Sequence, residues 1–323
     1  MDSFKRGLRS ILGSKLYQGL KRRYSKLRQY AMCLKYCPRD PGFQDGSKLF
    51  FVTGRSKSGT TWMAKLLSSH KELFCSSYEY IPFHQDRDVQ YTVASRQVSA
   101  WLQVALEERT RKLFKNGLIM SLICECKTLS ARKLGDKSTR QNASLILEAF
   151  PKSQVIVMLR DFRDCVVSQA FMESKYETWD GYFTGPEMEA LDNQFLRNYL
   201  TNYESQKDFE MWVKLVSERP DQVMIVRYEE IKSKPEATLK RVFEFLGVNS
   251  ADSIVAQCLQ KNTFQKLSGG RKPGEADASH FYRKGIVGDW RNYFSVENVA
   301  TFKEIAGDTL IAAGYEQDDQ WSV

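Results

Sequence analysis

The feature that most constrains the fold is a short apolar segment that leads through a glycine-flanked loop into a helical pattern. Residues 48–53 have the composition of a strand, residues 54–59 form the loop, and residues 60–69 have the pattern of a helix. Backbone N–H groups at such a turn point outward at the positive end of the helix dipole. The segment therefore predicts an anion site at one end of a buried strand.

The same order of strand and helix recurs later in the chain. Residues 154–159 and 222–227 are apolar, strand-like runs, and each precedes a helical pattern. Ser233 and Glu236 predict a capping box for the helix after the second run, and Gly247 predicts its end. Strands that alternate with helices predict a three-layer α/β/α fold around a central parallel sheet.

The positive charge of the chain is confined to its N-terminal part. Residues 1–48 hold twelve Lys or Arg side chains against three Asp, which accounts for the whole net charge of +9 of the 323 residues. Because the basic character belongs to a tail, we expect no nucleic-acid partner. We therefore divide the chain into a basic N-terminal helix and linker at 1–47 and one α/β domain at 48–323.

Within that tail, residues 3–36 place apolar side chains near a helical period, with Lys and Arg between them. A basic amphipathic helix of this kind contacts a membrane surface, targets an organelle or packs on the main domain, and the pattern does not choose among the three. No apolar run is long enough to span a bilayer. The seven scattered cysteines are typical of reduced thiols, so we expect a cytoplasmic protein, membrane-associated if the helix binds lipid.

The glycine-flanked loop carries the donors that a phosphate or sulfate needs. Lys57 adds a point charge, and Ser58, Thr60 and Thr61 add hydroxyl donors to the backbone N–H groups. The ATP-type loop has a Lys directly after its second glycine, whereas here Lys57 precedes Gly59 by two residues. An ATP-dependent, kinase-like transferase is therefore the less favoured alternative.

Four segments resemble motifs of the sulfotransferases that use 3′-phosphoadenosine 5′-phosphosulfate (PAPS), and they occur in that family's order. Residues 57–62 resemble its 5′-phosphosulfate loop, and residues 159–168 resemble its 3′-phosphate segment. Residues 283–290 resemble its C-terminal Arg-Lys-Gly-x-x-Gly-Asp-Trp motif. Residues 135–139 resemble the Glu/Asp-Lys-Thr/Ser segment of its bacterial and Golgi-type members. The resemblance extends from residue 48 to about residue 300.

The resemblance implies a set of nucleotide ligands. Arg160 and Ser168 correspond to ligands of the 3′-phosphate, a dianion that a guanidinium binds bidentately. Trp62, Tyr228 and Phe264 correspond to residues that contact adenine. The complete implied set is Arg55, Ser56, Lys57, Ser58, Gly59, Thr60, Thr61, Trp62, Arg160, Ser168, Tyr228, Phe264, Arg283, Lys284 and Gly285.

For the transfer step, the resemblance implies a metal-free, in-line displacement that releases 3′,5′-diphosphoadenosine (PAP). Lys57 is expected to stabilise charge on the leaving oxygen, and Lys137 to hold the sulfuryl group. An acceptor hydroxyl or amine also needs a general base. Glu79 is favoured for this role by its position after the loop, and His84 and Asp136 are the alternatives.

Structural interpretations compete with some of these roles. For Arg160 the alternative is a surface ion pair with Asp161 or Asp164, and for each aromatic residue it is packing in the core. Residues 173–212 combine many acidic and aromatic side chains. This segment predicts either an aromatic lid over the acceptor site or a pair of amphipathic helices packed on the domain.

We therefore predict a PAPS-dependent sulfotransferase whose acceptor is an unidentified small molecule, lipid or carbohydrate. A second alternative is a non-catalytic nucleotide-binding protein that serves as a membrane adaptor through residues 3–36. Residues 291–300 lack the Lys, Thr and final Glu of the dimerisation segment found in many cytosolic sulfotransferases, so the resemblance leaves the oligomeric state open.

Overall fold

The described part of the chain covers most of the predicted α/β domain. A computed structural model of the chain describes residues 40–77, 108–126, 130–137, 143–173, 188–202, 205–278 and 280–323. The basic helix predicted at residues 3–36 lies outside the described residues, as do the candidate bases Glu79 and His84.

Five parallel strands form the centre of the domain. They are β1 Leu49–Gly54, β2 Leu73–Ser76, β3 Lys133–Lys137, β4 Gln154–Leu159 and β5 Val223–Arg227. The strands are hydrogen-bonded in the order β2-β3-β1-β4-β5, which puts β1 in the middle. The predicted parallel sheet is confirmed, and it contains two strands, β2 and β3, that the sequence pattern did not indicate.

Helices surround this sheet. The described ones are α1 Pro41–Gln44, α2 Thr60–Ser68, α3 Glu108–Glu125, α4 Ala143–Ala149, α5 Phe162–Glu173, α6 Asn193–Asn202, α7 Ser205–Glu218, α8 Tyr228–Ser233, α9 Pro235–Leu246, α10 Asp252–Lys261, α11 Phe264–Leu267 and α12 Val296–Ala312, with a 3-10 turn at Asp289–Asn292. None of these described helices has the length and apolar character needed to cross a bilayer.

Alternate side chains of the strands face two separate cores. Leu49 and Phe51 of β1 belong to the core that the strands share with α3 to α7 and α12. Phe50 and Val52 belong to the core shared with α2 and α8 to α10. All four side chains are fully buried, and a strand covered on both faces is apolar at successive positions for this reason. The predicted three-layer α/β/α fold is confirmed.

The described aromatic residues between positions 188 and 218 are part of the first of these cores. Phe195 and Tyr199 of α6 and Trp212 of α7 are buried there. For α6 and α7, the packed helical pair is therefore the correct interpretation of the sequence. Residues 174–187, which belong to the segment considered as a lid, lie outside the described residues.

The predicted capping box at Ser233 and Glu236 is wrong. Ser233 ends α8, and its hydroxyl donates to the Glu229 carbonyl at 2.8 Å. The Ser233 hydroxyl is therefore already bonded to the backbone one turn earlier. The N-cap residue of α9 is Lys234, whose side chain makes no capping hydrogen bond. The predicted end of α9 is confirmed, because Gly247 adopts the left-handed conformation with φ 67°.

We predict that Gly135→Ala destabilises the sheet. A Cβ at this position of β3 lies 2.4 Å from the ring of Phe50, so the strand or the ring must move. The expected loss in the free energy of unfolding is about 1–3 kcal/mol, measured by chemical denaturation. Gly117→Ala is the matched control, because a Cβ there meets nothing within 4 Å and alanine favours the helix. Equal stabilities of the two variants would contradict the close contact.

Candidate functional site

A cavity of about 390 Å³ opens at the carboxyl ends of the strands. Lys57 follows β1, Lys137 ends β3, Arg160 follows β4 and Tyr228 follows β5, and all four side chains line the cavity. Ligands of open parallel sheets bind at this edge, where loops and helix N-termini converge. The cavity is therefore the candidate functional site.

The fold brings together thirteen of the fifteen predicted nucleotide ligands around this cavity. They are Ser56, Lys57, Gly59, Thr60, Thr61, Trp62, Arg160, Ser168, Tyr228, Phe264, Arg283, Lys284 and Gly285. The wall also contains residues that the sequence analysis did not assign: Met172, Lys232, Leu267, Phe281, Tyr282, Ile286 and Asp289.

Arg55 and Ser58 are the two predicted ligands whose side chains do not line the cavity. The Arg55 side chain is 2% exposed, and its guanidinium lies 5.3 Å from the ring centroids of both Phe162 and Tyr199. The Ser58 hydroxyl donates to the Arg55 carbonyl at 2.7 Å. Both side chains are therefore buried against the protein and do not form part of the cavity wall.

The loop holds Lys57 in an unusual backbone conformation. Its φ is 68°, and among the described residues no other non-glycine residue has a positive φ. This conformation costs roughly 1–3 kcal/mol, which the surrounding contacts must offset. The Lys57 Nζ lies 3.7 Å from the Met172 Sδ and 4.5 Å from the centroid of the Phe281 ring. The strained turn thus places the ammonium against an apolar part of the wall.

Three of the aromatic rings that line the cavity come from separate helices: Trp62 from α2, Tyr228 from α8 and Phe264 from α11. Trp62 and Tyr228 meet edge to face, with ring centroids 5.8 Å apart. The Trp62 Nε1 donates to the Asn262 carbonyl at 3.0 Å, which fixes the indole. Gly285 crosses Phe264 so closely that a Cβ would lie 2.3 Å from its ring. Only a glycine allows this approach, and its φ of 67° also favours glycine.

Arg160 connects several parts of the wall. Its guanidinium lies 4.4 Å from the centroid of the Tyr228 ring and donates to the carbonyls of Lys57 at 3.0 Å and Ile286 at 3.2 Å. Arg160 also pairs with Asp164 at 3.3 Å, one of the two partners that the sequence analysis considered, although the pair is buried. Burial disfavours the charge, but Tyr228 and Asp164 raise the pKa of Arg160, so the guanidinium stays cationic.

Asp164 binds the C-terminal segment, residues 283–290, to this edge of the sheet. Its carboxylate is 1% exposed and accepts the backbone N–H groups of Gly288 at 2.8 Å and Trp290 at 3.0 Å. Burial raises the pKa of Asp164, while Arg160 and the two N–H groups favour the ionised form. The ion pair with Arg160 is therefore a buried structural contact, not the surface pair that the sequence suggested.

Arg163 forms a second anchor for the same segment. Its guanidinium lies 4.0 Å from the Trp290 ring centroid and 4.6 Å from that of Trp321. Its charge is balanced by Asp161 at 2.8 Å and Glu316 at 2.6 Å. Asp161, the other partner considered for Arg160, thus pairs with Arg163 instead.

Asp289 holds two predicted phosphate ligands next to each other. This carboxylate is 2% exposed and pairs with Arg283 and with Lys284, the latter at 2.7 Å. Burial alone raises the pKa of Asp289, but the hydrogen bonds from Lys284 and Arg283 lower it below its usual value. Arg283 also lies 4.3 Å from the centroid of the Phe171 ring. Both cations are therefore positioned at the wall without a ligand.

The candidate catalytic groups differ in their access to the cavity. Lys137 lines it, whereas Asp136 is fully buried and lies outside the wall. His70 is also buried, with its Nε2 2.9 Å from the Asn249 carbonyl, and His280 does not line the cavity. Of these described groups, Lys137 alone forms part of the cavity wall.

The electrostatic character of the cavity is strongly cationic. Among the described residues, its wall contains one carboxylate, that of Asp289, and six cationic side chains: Lys57, Lys137, Arg160, Lys232, Arg283 and Lys284. Low-dielectric walls strengthen the field of such a group and attract anions. The arrangement therefore suits a ligand with more than one phosphate or sulfate group.

Sequence reasoning gave Lys232 and Asp289 no role in the site and considered Asp164 only for a surface ion pair, although the spacing of these residues carried a signal. Asp164 follows Arg160 by four residues, and Lys232 follows Tyr228 by four, the spacing at which helical side chains are neighbours. Asp289 lies inside the C-terminal motif, five residues after Lys284. A search for charges one helical turn from each predicted ligand finds the first two.

Comparisons with known proteins agree with this geometry. The family model described as "Sulfotransferase domain" matches residues 48–314. The chain is 25% identical to the protein named "Flavonol sulfotransferase-like" of Flaveria bidentis, with 78% of this chain and 90% of that protein covered. It is 26% identical to Sulfotransferase 1A1 of Rattus norvegicus, with 74% and 77% covered.

Solved structures share the fold at low identity. Mouse sulfotransferase SULT7A1 complexed with PAP superposes with a TM-score of 0.53 at 18% identity, covering 83% of this chain and 88% of that chain. Retinol dehydratase in complex with androsterone and PAP gives a TM-score of 0.52 at 15% identity, covering 82% and 81%. Both likenesses show a common fold.

We predict that Asp164→Asn lowers the stability of the protein by disrupting the contacts at the edge of the site. The amide keeps the shape but removes the charge that pairs with Arg160, and it presents an N–H group to backbone donors. The free energy of unfolding, measured in urea, is expected to fall by about 3 kcal/mol. Asp308→Asn, at an exposed position of α12, is the control and stays within about 0.5 kcal/mol. Wild-type stability of Asp164→Asn would contradict the anchoring role.

Proposed function

This chain belongs to the family of PAPS-dependent sulfotransferases, and from that premise we propose that it transfers the sulfuryl group of PAPS to a hydroxyl or amine of a small-molecule acceptor. The match to the sulfotransferase domain over residues 48–314 supports sulfuryl transfer at the level of the family. The observation that supports the finer proposal is the cationic cavity at the ends of β1, β3, β4 and β5.

Two groups of donors in the cavity fit the two anionic parts of PAPS. Lys57 and the hydroxyl groups at the start of α2 suit the 5′-phosphosulfate, beside the positive end of the helix dipole. Arg160, Ser168 and the Arg283–Lys284 pair suit the 3′-phosphate, which is close to a dianion at neutral pH. Trp62 and Phe264 offer ring faces for adenine.

For the transfer step we assign Lys57 to the leaving group. As the acceptor oxygen or nitrogen bonds to sulfur, the bond from sulfur to the bridging oxygen breaks, and the Lys57 ammonium stabilises the charge that develops there. Lys137 holds the sulfuryl oxygens from the end of β3. The acceptor proton passes to a base, for which Glu79 is preferred and His84 is the alternative. The burial of Asp136 counts against the third candidate.

The surroundings of Lys57 also bear on the acceptor. Its Nζ contacts Met172 and the ring of Phe281, and the Phe281 side chain is 47% exposed. Apolar side chains beside the reacting centre favour an acceptor with an apolar surface next to its hydroxyl over a carbohydrate. Cytoplasmic location and membrane contact through residues 3–36 stay predictions.

We predict that the chain binds PAP at least about tenfold more tightly than ADP in the absence of magnesium. PAP offers a 3′-phosphate to Arg160 and its neighbours, which ADP lacks, and a tenfold difference corresponds to about 1.4 kcal/mol. Isothermal titration calorimetry with the full chain and each nucleotide measures the ratio. Equal affinities, or a preference for ADP, would contradict the proposal and favour the kinase-like alternative.

We predict that Lys57→Ala lowers the rate of transfer by about 10²–10³-fold, the effect of removing one donor to a developing oxyanion. The assay follows the release of PAP from PAPS with a panel of phenols and alcohols as acceptors. Lys71→Ala, an exposed lysine away from the cavity, is the control and keeps the wild-type rate. Undiminished turnover of Lys57→Ala would remove this side chain from the mechanism.

A further inference from the structure

Lys232 is a cavity residue to which neither the sequence motifs nor the proposed transfer step gives a role. It lies on α8, four residues after Tyr228, so both side chains share one face of the helix and both line the cavity. Its Nζ is 6.0 Å from the centroid of the Trp62 ring. The ammonium therefore lies at the aromatic part of the wall, on the helix that also presents Tyr228 to Arg160.

The acidic residues next to Lys232 on this helix are engaged elsewhere. Glu229 accepts the Asp161 backbone N–H at 3.0 Å and the Tyr315 hydroxyl at 3.1 Å. Glu230 pairs with Arg241 at 2.7 Å. None of the ion pairs found among the described residues includes Lys232, so the helix supplies it with no counter-charge.

The position of Lys232 is electrostatically unfavourable without an anion. The side chain is half-buried, and burial, with a smaller contribution from Arg160, lowers its pKa. A partly desolvated ammonium that faces another cation gains free energy when an anion enters between them. Arg160 lies 4.4 Å from the centroid of the Tyr228 ring, Lys232 lies 6.0 Å from that of Trp62, and these two rings are in contact at 5.8 Å. The two cations therefore lie at the two rings of one aromatic pair.

We propose that Lys232 binds the 3′-phosphate of PAPS and PAP together with Arg160, and that it sets the preference of the site for 3′-phosphorylated nucleotides. The inference rests on the proposed function, because it takes the nucleotide of that reaction as its ligand. A phosphate dianion has enough acceptor oxygens for a guanidinium and an ammonium at once. Lys232 is thereby a specificity residue and takes no part in the breaking of the sulfur–oxygen bond.

The test compares PAP with adenosine 5′-monophosphate (AMP), which differs from PAP only by lacking the 3′-phosphate. Calorimetry on the full chain is expected to show that Lys232→Gln binds PAP about ten- to a hundredfold more weakly, the range for a hydrogen bond to a charged group. Its affinity for AMP is unchanged. Lys232→Arg retains most of the preference for PAP because it restores the charge. Lys234→Gln, an exposed lysine outside the cavity wall, is the control and matches the wild type.

The outcomes separate this inference from the proposed function. Retained AMP affinity also shows that Lys232→Gln is folded. An equal loss for PAP and AMP, or unchanged PAP affinity, overturns the role of Lys232. If the wild-type protein itself binds PAP no better than AMP, the proposed function fails and the inference fails with it. A wild-type preference for PAP that Lys232→Gln leaves intact overturns only the inference.

Discussion

The carboxylate of Asp164 lies fully buried at the start of α5 and receives the N–H groups of Gly288 and Trp290 together with the guanidinium of Arg160. Gly288 is 124 residues away in sequence, so this contact joins the edge of the sheet to a distant loop. A buried carboxylate is stable only when its oxygens are satisfied. The loop, the helix and Arg160 therefore keep their positions together or lose them together.

The same principle organises the rest of the site. Asp289 positions Arg283 and Lys284, and Asp164 positions Arg160, so each of these three cations has a buried carboxylate behind it. Such carboxylates reduce the repulsion among like charges before a ligand is present. They also fix side-chain geometry, which lowers the entropy lost on binding. The site is therefore organised by its anions as much as by its cations.

The sequence identified those elements whose signal is local. The strands β1, β4 and β5 are apolar runs, and the motif residues after them line the cavity as the resemblance implied. By contrast, β3 has the sequence Lys-Leu-Gly-Asp-Lys, which has no strand pattern. It is a strand because β1 and β2 pair with it from both sides, a contact between distant segments. The buried position of the Arg55 side chain could not be predicted for a similar reason, since its packing against Phe162 and Tyr199 depends on the tertiary fold.

Arg160 also joins the two parts of the cavity wall that the proposed function assigns to the two anionic ends of the nucleotide. It donates both to the carbonyl of Lys57, in the loop before α2, and to that of Ile286, in the C-terminal segment. When two binding regions share one rigid element, the occupancy of each changes the free energy of filling the other, by the same factor in both directions. For the nucleotide of the proposed function, these contacts predict that its two ends bind and dissociate cooperatively.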